Sequence, residues 1–501
     1  MNDVIDFSNS FFSTMTALLA NLFILAVGIL VALAVVYYIV DVTQTKHTIR
    51  RNYPLIGRFR YLFEKLGEFF RQYFFSMDRE ELPFNRAQRS WVYRAAKNID
   101  NTQPFGSTRD NDRAGHIIFV NAGFPVLDEE ATPPETIEFG PGCREPYRSN
   151  SIFNISGMSY GAISKPAVQA LSRGAAMAGC WMCTGEGGLS DYHLEGNCDI
   201  VFQIGTAKYG VRDEHGNYSI DKLKEVAARP QVKMLELKLS QGAKPGKGGI
   251  LPAVKVTPEI ARIRGIPAGE SSISPNRHTD IGNNRELLER VHWLRELTGK
   301  PVGIKTVLGD EAWLDDFLLT INREGRKYAP DFITLDSADG GTGAAPMTLM
   351  DDVGLGIHES LPLLVDKLIE HGLRDRIRVI CSGKLINPAD VAWAMCVGAD
   401  AINNARGFMF SLGCIQAMQC NKNTCPTGIT THDPKLQRGL VTSDKAERVA
   451  NYQRNMVKEV GIIAHSCGVK NPRHLTRKHA RMVASSSASV SLVDYYKRKD
   501  R

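Results

Sequence analysis

From about residue 150 onward, short β-rich runs alternate with helical stretches and glycine-rich turns. This rhythm constrains the fold more than any other feature of the chain. The candidate strands are SIFNIS (151–156), MLELKL (234–239), VGIKTV (302–307), FITLD (332–336), RVICSG (378–383) and AINNA (401–405). Helical stretches such as KPAVQALSRGAAMAG, RELLERVHWLREL and PADVAWAMCVGA lie between them. Strands that alternate with helices make a parallel sheet. Six or more such units over this length predict an α/β fold, a closed (β/α)8 TIM barrel in preference to an open doubly wound sheet. With 501 residues and 43% apolar composition, the chain holds enough for one large core or two ordinary ones. The segment after about residue 430 reads as helices, with KAERVANYQRNMVKEVGIIAHSCG as one amphipathic pass.

The first forty residues follow a different rule. No charge occurs between Asp6 and Asp41, and from Met15 to Val40 only Thr16 and Asn21 are clearly polar. A bilayer core takes about 20 apolar residues in a helix, so the run is long enough to span with some tilt. It is too long for a signal-peptide core, and Asp3 and Asp6 precede it where such a peptide carries Lys or Arg. Tyr37 and Tyr38 stand where an interfacial aromatic belt falls, and Lys46, Arg50, Arg51, Arg58, Arg60, Lys65 and Arg71 follow. The expectation is a single-pass helix in the inner (cytoplasmic) membrane, with the rest of the chain in the cytoplasm. YLFEKLGEFFRQYFF (61–75) has aromatics and Leu at helical spacing; it lies either in the membrane interface or against the domain that follows. The expected domains are a segment with one transmembrane helix (1–45), a juxtamembrane linker and cap (46–140), the barrel with its cysteine loop (141–430) and a helical tail (431–501).

The stretch GCIQAMQCNKNTCPTG spaces Cys414, Cys420 and Cys425 by gaps of five and four, with Pro426 directly after. Soft thiolates select iron–sulfur clusters, zinc or Cu(I), and a proline after the last Cys is a habit of iron–sulfur loops. A structural zinc takes four protein ligands. Three thiolates fit a three-iron cluster, or a four-iron cluster with an open corner; the bland alternative is three unligated buried thiols. Ten Cys in a chain of this length is not a disulfide scaffold. Cys381 and Cys396 lie in apolar surroundings and read as plain buried thiols. A reducing compartment suits both kinds. The net charge of +7 is mild and implies no nucleic-acid partner.

In a barrel the working face lies at the C-terminal ends of the strands. SIFNIS runs into Gly157-Met158-Ser159-Tyr160-Gly161, and Thr184-Gly185-Glu186-Gly187-Gly188 follows. MLELKLS places Lys238, Gln241 and Lys244 near one strand end, with Arg264 beyond. Lys305 interrupts the apolar run VGIKTV, where a buried Lys needs a partner. FITLD leads to Asp339-Gly340-Gly341-Thr342-Gly343, RVICSG to Gly383-Lys384, and AINNA to Arg406. Late barrel strands often hold phosphate, and these turns with Lys384 and Arg406 supply amides and cations. Lys238, Lys244 and Arg264 beside Glu186 suit a dianionic carboxylate substrate. Singly, each reads as well as a solvated charge or an ordinary turn; their order along one barrel gives them weight.

The runs GMSYGAIS, TGEGG, KLSQGAKPGKGG, ISPNRHTDI, DGGTGAAP and CIQAMQCNKNTCPTG closely resemble, in order, the motifs of the FMN-binding synthase domain of glutamate synthase. The resemblance covers roughly residues 100–475. It implies a 3Fe–4S cluster on Cys414, Cys420 and Cys425. It implies FMN held by Met158, Ser159, Gln241, Lys305, Gly340, Gly341, Thr342, Gly383, Lys384 and Arg406. It implies 2-oxoglutarate held by Glu186, Lys238, Gln241, Lys244 and Arg264, with Lys238, Glu186 and Lys244 as catalytic residues. The departures matter too. Full-length members carry an amidotransferase domain with an N-terminal Cys, whereas this chain begins Met1-Asn2-Asp3 and has no Cys before Cys143, so glutamine hydrolysis by that route is not expected. Their large C-terminal glycine-repeat domain is not expected either. Asn276-Arg277 replaces a proline pair, and Arg277 would add a cation near the mouth.

The chemistry implied is reductive amination of 2-oxoglutarate by ammonia, with reduced FMN as hydride donor and the cluster as its electron supply. No NAD(P)H-binding glycine motif stands in strand–helix context, so the expected partners are a separate electron donor, a ferredoxin or reductase subunit, and a possible separate glutaminase subunit. Alternatives left open are a related flavin-dependent amino acid oxidoreductase or N-alkylglutamate synthase, and a membrane-bound flavin/iron–sulfur electron-transfer module.

Overall fold

The computed structural model describes residues 2–497, which divide into two units after Arg86. In the first unit one helix, Asn2–Thr43, carries the apolar run. Its stretch Phe12–Thr43 is long and apolar enough to cross a membrane, and its most apolar window has no burial inside the protein. Leu22, Phe23 and Leu30 are among its exposed side chains. The helix of a soluble core would hide such residues. The basic residues that follow fold back on the helix end. Asp41 accepts from Arg50 Nε at 2.9 Å, from Arg58 Nε at 2.8 Å and from the Leu55 N–H at 3.2 Å. The Arg58 guanidinium also lies 4.2 Å over the Tyr37 ring. Beyond the short helix Thr48–Asn52, a third helix, Gly57–Phe70, leaves Phe59 and Phe63 exposed.

In the second unit eight parallel strands close into a barrel: β1 (Phe153–Ile155), β2 (Met182–Cys183), β3 (Ile200–Ile204), β4 (Val232–Lys238), β5 (Val302–Thr306), β6 (Phe332–Asp336), β7 (Arg378–Ser382) and β8 (Ala401–Asn404). Closure is made by β8 on β1, where Ile402 pairs with Phe153. The six expected strands are all present to within two residues. β2 and β3 complete the eight.

The N-terminal end of the barrel is stoppered by an antiparallel pair, Ile137–Phe139 and Tyr147–Ser149. Phe139 inserts among Tyr147, Trp181, Met234 and Phe332, with T-shaped contacts to Trp181 at 5.7 Å and Phe332 at 5.8 Å between centroids. Such aromatic pairs add about 0.5–1.5 kcal/mol beyond their buried area. Helices follow most strands and are stopped at their starts by short polar caps. Asn283 accepts from the Glu286 N–H, Asp310 from Ala312, and Asn387 from Asp390. Gly174, on the helix Lys165–Ala178, lets the long helix Thr442–Ser466 approach closely, since a Cβ there would overlap Val449. A long excursion after β4 carries the turn Ala253–Lys255, the helix Pro258–Arg264 and a two-stranded pair, Ile250–Leu251 with Ser272–Ile273.

Two differences from the sequence expectation stand out. The segment after residue 430 is not helical throughout: Ala480–Ser485 and Ala488–Ser491 form a hairpin, and Ile117–Phe119 adds a third antiparallel strand to it. The serine run at 485–487 breaks the apolar alternation that marks strands. The expected linker is also split, because residues from Ala87 onward belong to the barrel unit. Trp91 meets Tyr452 edge-on at 5.9 Å, and Asn455 donates to the Ala95 carbonyl at 2.9 Å.

Candidate active site

At the C-terminal mouth two adjoining cavities of about 140 Å³ and about 60 Å³ share Gly157, Gln203, Gln241, Gly341, Ala405 and Arg406. The larger holds the acid and the three cations picked out from the sequence. Lys238 ends β4; its Nζ lies 2.9 Å from Glu186 Oε2 and donates to Gln241 Oε1. Gln241 donates in turn to Thr342 Oγ1 at 3.3 Å. Lys244 donates to the Ala344 carbonyl at 3.3 Å. Arg264 donates to Ser272 Oγ at 3.1 Å and lies 5.2 Å over the Tyr209 ring, while its buried Nε has no hydrogen-bond partner among the described residues. Glycine backs the acid: a Cβ at Gly249 would strike the Glu186 carboxylate.

The charges shift one another. Burial alone would raise the Glu186 carboxyl, but Lys238, Lys244 and Arg264 hold it below its usual range. Burial, helped by Lys238 and opposed by Glu186, pushes the Lys244 ammonium down to about 8. Two neutral histidines fix the loops behind. Burial pushes His193 down to about 4, with Nε2 at 3.3 Å from the Met158 carbonyl. Burial likewise takes His278 to about 4, with Nε2 at 2.9 Å from the Lys238 carbonyl.

The smaller cavity takes Lys305, Gly383, Lys384 and Arg406 from the late strands. Lys305 Nζ lies 3.2 Å from Asp336 Oδ2; burial works against its charge, but Asp336 and Glu236 raise the ammonium above its usual value. Lys384, in left-handed backbone at φ 54°, pairs with Asp339 at 2.8 Å. A Cβ on Gly341 would come within 2.6 Å of Arg406 Nε, and Gly383 sits at φ +117° against Ser337. A floor that only glycine permits, ringed by Lys305, Lys384 and Arg406, fits a flat, phosphate-bearing cofactor such as FMN.

Cys420 lines the larger cavity, and its Sγ lies 3.7 Å from Arg406 Nη1. The cysteine loop winds tightly, with Gln416, Met418 and Asn423 all at positive φ. Thr427 Oγ1 lies 3.4 Å from Cys425 Sγ; burial would raise that thiol, but hydrogen bonds from Thr427 and Thr430 hold it below its usual value. Among the described residues no group of three or more Cys, His, Asp or Glu is placed to hold a metal ion. As a donor set, three soft thiols on one loop suit an iron–sulfur cluster better than a structural zinc, which takes four protein ligands.

Most of the residues expected at the mouth do meet there. Met158 and Ser159 line the larger cavity, as does Thr342. Gly340 lies behind it, packed so close that a Cβ on Gly242 would come 2.8 Å from its Cα. Arg277 departs from expectation: it lines neither cavity and donates to the carbonyls of His278 and Ile281 in its own loop. Three residues were not anticipated. Gln203, from the unrecognised β3, lines both cavities and donates to the buried Glu236 at 2.6 Å. Glu236 also accepts from Thr334 Oγ1. Lys255 is the third, with 1% of its surface exposed.

The mouth of the closed parallel barrel thus gathers buried cations, a glycine floor and a thiol loop. Residues 127–470 match the model of the conserved region in glutamate synthase, and the chain belongs to that family. It is 40% identical over 481 residues to "Glutamate synthase large subunit-like protein YerD" of Bacillus subtilis (strain 168), covering 88% of this chain and 91% of that protein. It is 34% identical over 317 residues to "Archaeal-type glutamate synthase [NADPH]" of Thermotoga sp. (strain RQ2), covering 63% of this chain and 59% of that one. The chain thus spans well under two thirds of the Thermotoga protein. Among solved structures, a flavocytochrome b2 mutant with pyruvate bound aligns with TM-score 0.45 and 13% identity, over 78% of this chain and 82% of that one.

Proposed function

We propose that this chain makes L-glutamate by reductive amination of 2-oxoglutarate with ammonia, using FMN in the smaller cavity and a 3Fe–4S cluster on Cys414, Cys420 and Cys425. The observation that carries the reading is the imbalance in the larger cavity. Lys238, Lys244 and Arg264 face one acid, Glu186; with Arg406 left to the cofactor cavity that it also lines, an anion of two charges restores the balance.

When bound, FMN would supply the hydride and the cluster the electrons that restore it. This chain's residues do the rest. Arg264 and Lys244 take the two carboxylates, with Arg264 offering its unpartnered Nε. The 2-oxo oxygen needs two protons to leave as water when ammonia adds, and Lys238, held by Glu186 and Gln241, donates both in turn. Glu186 takes the proton that the added nitrogen gives up and returns it to Lys238 between the two transfers, so that one proton is consumed and an iminium is left. Gln241 ties this group to Thr342 at the edge of the cofactor cavity. Arg406 and Lys384 hold the cofactor phosphate, and Lys305 presents its charge to the ring system. A ferredoxin or reductase subunit supplies electrons, ammonia comes from solvent or from a separate glutaminase subunit, and the apolar helix Phe12–Thr43 anchors the chain in the cytoplasmic membrane.

The test is steady-state turnover driven by reduced methyl viologen, with 2-oxoglutarate and ¹⁵N-ammonium. Labelled glutamate supports the reading. Viologen oxidation without glutamate, or a product formed only when a primary alkylamine replaces ammonium, overturns it.

A further inference from the structure

We propose that Lys255 is the charge-compensating residue of the iron–sulfur loop, a buried ammonium that ties this loop to the wall of the larger cavity and keeps the cluster easy to reduce. The proposal rests on the reading that Cys414, Cys420 and Cys425 hold a cluster.

Lys255 closes the short turn Ala253–Lys255 and is almost wholly enclosed. Its Nζ donates to the Ala162 carbonyl at 2.7 Å and to the Cys420 carbonyl at 3.1 Å. Ala162 and Cys420 both line the larger cavity, whereas Lys255 lines neither. It is therefore a positioning residue that touches neither substrate nor flavin site. Two carbonyls take two of its three N–H donors but leave its charge. A buried cation is costly unless an anion faces it; among the described residues no carboxylate lies within ion-pair distance of Lys255, and its Nζ sits against the backbone of Cys420, one of the three thiol residues. A cluster on three thiolates is such an anion, and each electron it accepts adds negative charge beside the ammonium. At low local dielectric a unit charge at this range moves the reduction equilibrium appreciably. Arg406, on the other side of Cys420, is shared with the cofactor cavity; Lys255 serves the cluster alone.

The test uses the detergent-extracted full chain and three variants. Lys255→Gln keeps a donor for the carbonyls and removes the charge, Lys255→Met removes both, and Lys255→Arg keeps the charge. Iron and acid-labile sulfide are measured first, then the cluster midpoint by redox titration followed by electron paramagnetic resonance. The expected result is a midpoint near wild type for Lys255→Arg and a lower one for Lys255→Gln and Lys255→Met. At the wild-type midpoint, the reduced-to-oxidised ratio of those two falls about tenfold, a one-electron shift of about 59 mV. Iron lost from Gln and Met but kept in Arg supports the same charge role. A fully loaded Lys255→Gln protein with the wild-type midpoint overturns the proposal, as does equal iron loss from all three variants. Wild-type protein free of iron and sulfide would instead overturn the cluster reading.

Discussion

Lys244 is enclosed beside Lys238 with no carboxylate close enough for an ion pair among the described residues, and Glu186 is the opposite charge that acts on it. A site built this way favours a dianion as its ligand. Lys244→Met is expected to raise KM for 2-oxoglutarate roughly 10- to 100-fold, from the loss of one charge-assisted hydrogen bond. Arg264→Lys keeps the charge but loses the fork and should fall between wild type and Lys244→Met. Steady-state kinetics check both, and an unchanged KM would place the substrate elsewhere. The pH dependence has a fixed sign. The Lys244 ammonium is lowered to about 8, so raising pH through that value removes a cation. Affinity for 2-oxoglutarate should therefore weaken above about pH 8, and Lys244→Met should lose this limb. Folding stability moves the other way. Unfolded Lys244 keeps its proton up to its ordinary 10.5, so between about 8 and 10.5 the unfolded state binds more protons and stability rises with pH.

Among the elements, the cysteine loop and the apolar helix each make a separable prediction. Cys420→Ser should lose iron and sulfide while retaining FMN, because Cys420 lines the larger cavity and not the cofactor one. Metal analysis and the flavin spectrum of the same sample check this; a variant that keeps full iron contradicts the ligand assignment. Removing residues 2–43 should move the chain from the membrane pellet to the supernatant with viologen-driven activity kept, since the barrel has its own core. Sedimentation of both forms with membranes would contradict the anchor.

Legibility also varies by element. VGIKTV and FITLD declare themselves because both faces are buried and the runs are apolar and β-branched. β2 is two residues, too short for any pattern, and β3 carries Gln203 one residue before its end, a polar side chain that reads as a strand boundary. Glu186 and Lys238 were legible because strand ends and glycine turns mark the mouth. Lys255 was not. It sits in LPAVKVTP, a sequence with no motif, and only the fold of the long excursion after β4 buries it.

Across the whole molecule, the barrel separates stability from chemistry. Phe139, Trp181 and Phe332 close one end with aromatic packing, while the other end gathers buried cations that need a ligand. The two cavities and the cysteine loop meet at Arg406, which touches Thr342 on one side and Cys420 on the other. In the proposed reading, the electron entry, the cofactor seat and the dianion seat share this one line of contacts. The central claim is tested most directly by a single turnover without oxygen. Photoreduced protein is mixed with 2-oxoglutarate and ¹⁵N-ammonium, and flavin absorbance and labelled glutamate are followed together. The account predicts reoxidation of the flavin with one glutamate formed for each flavin reoxidised. A flavin that stays reduced, or one that reoxidises without glutamate, would contradict it.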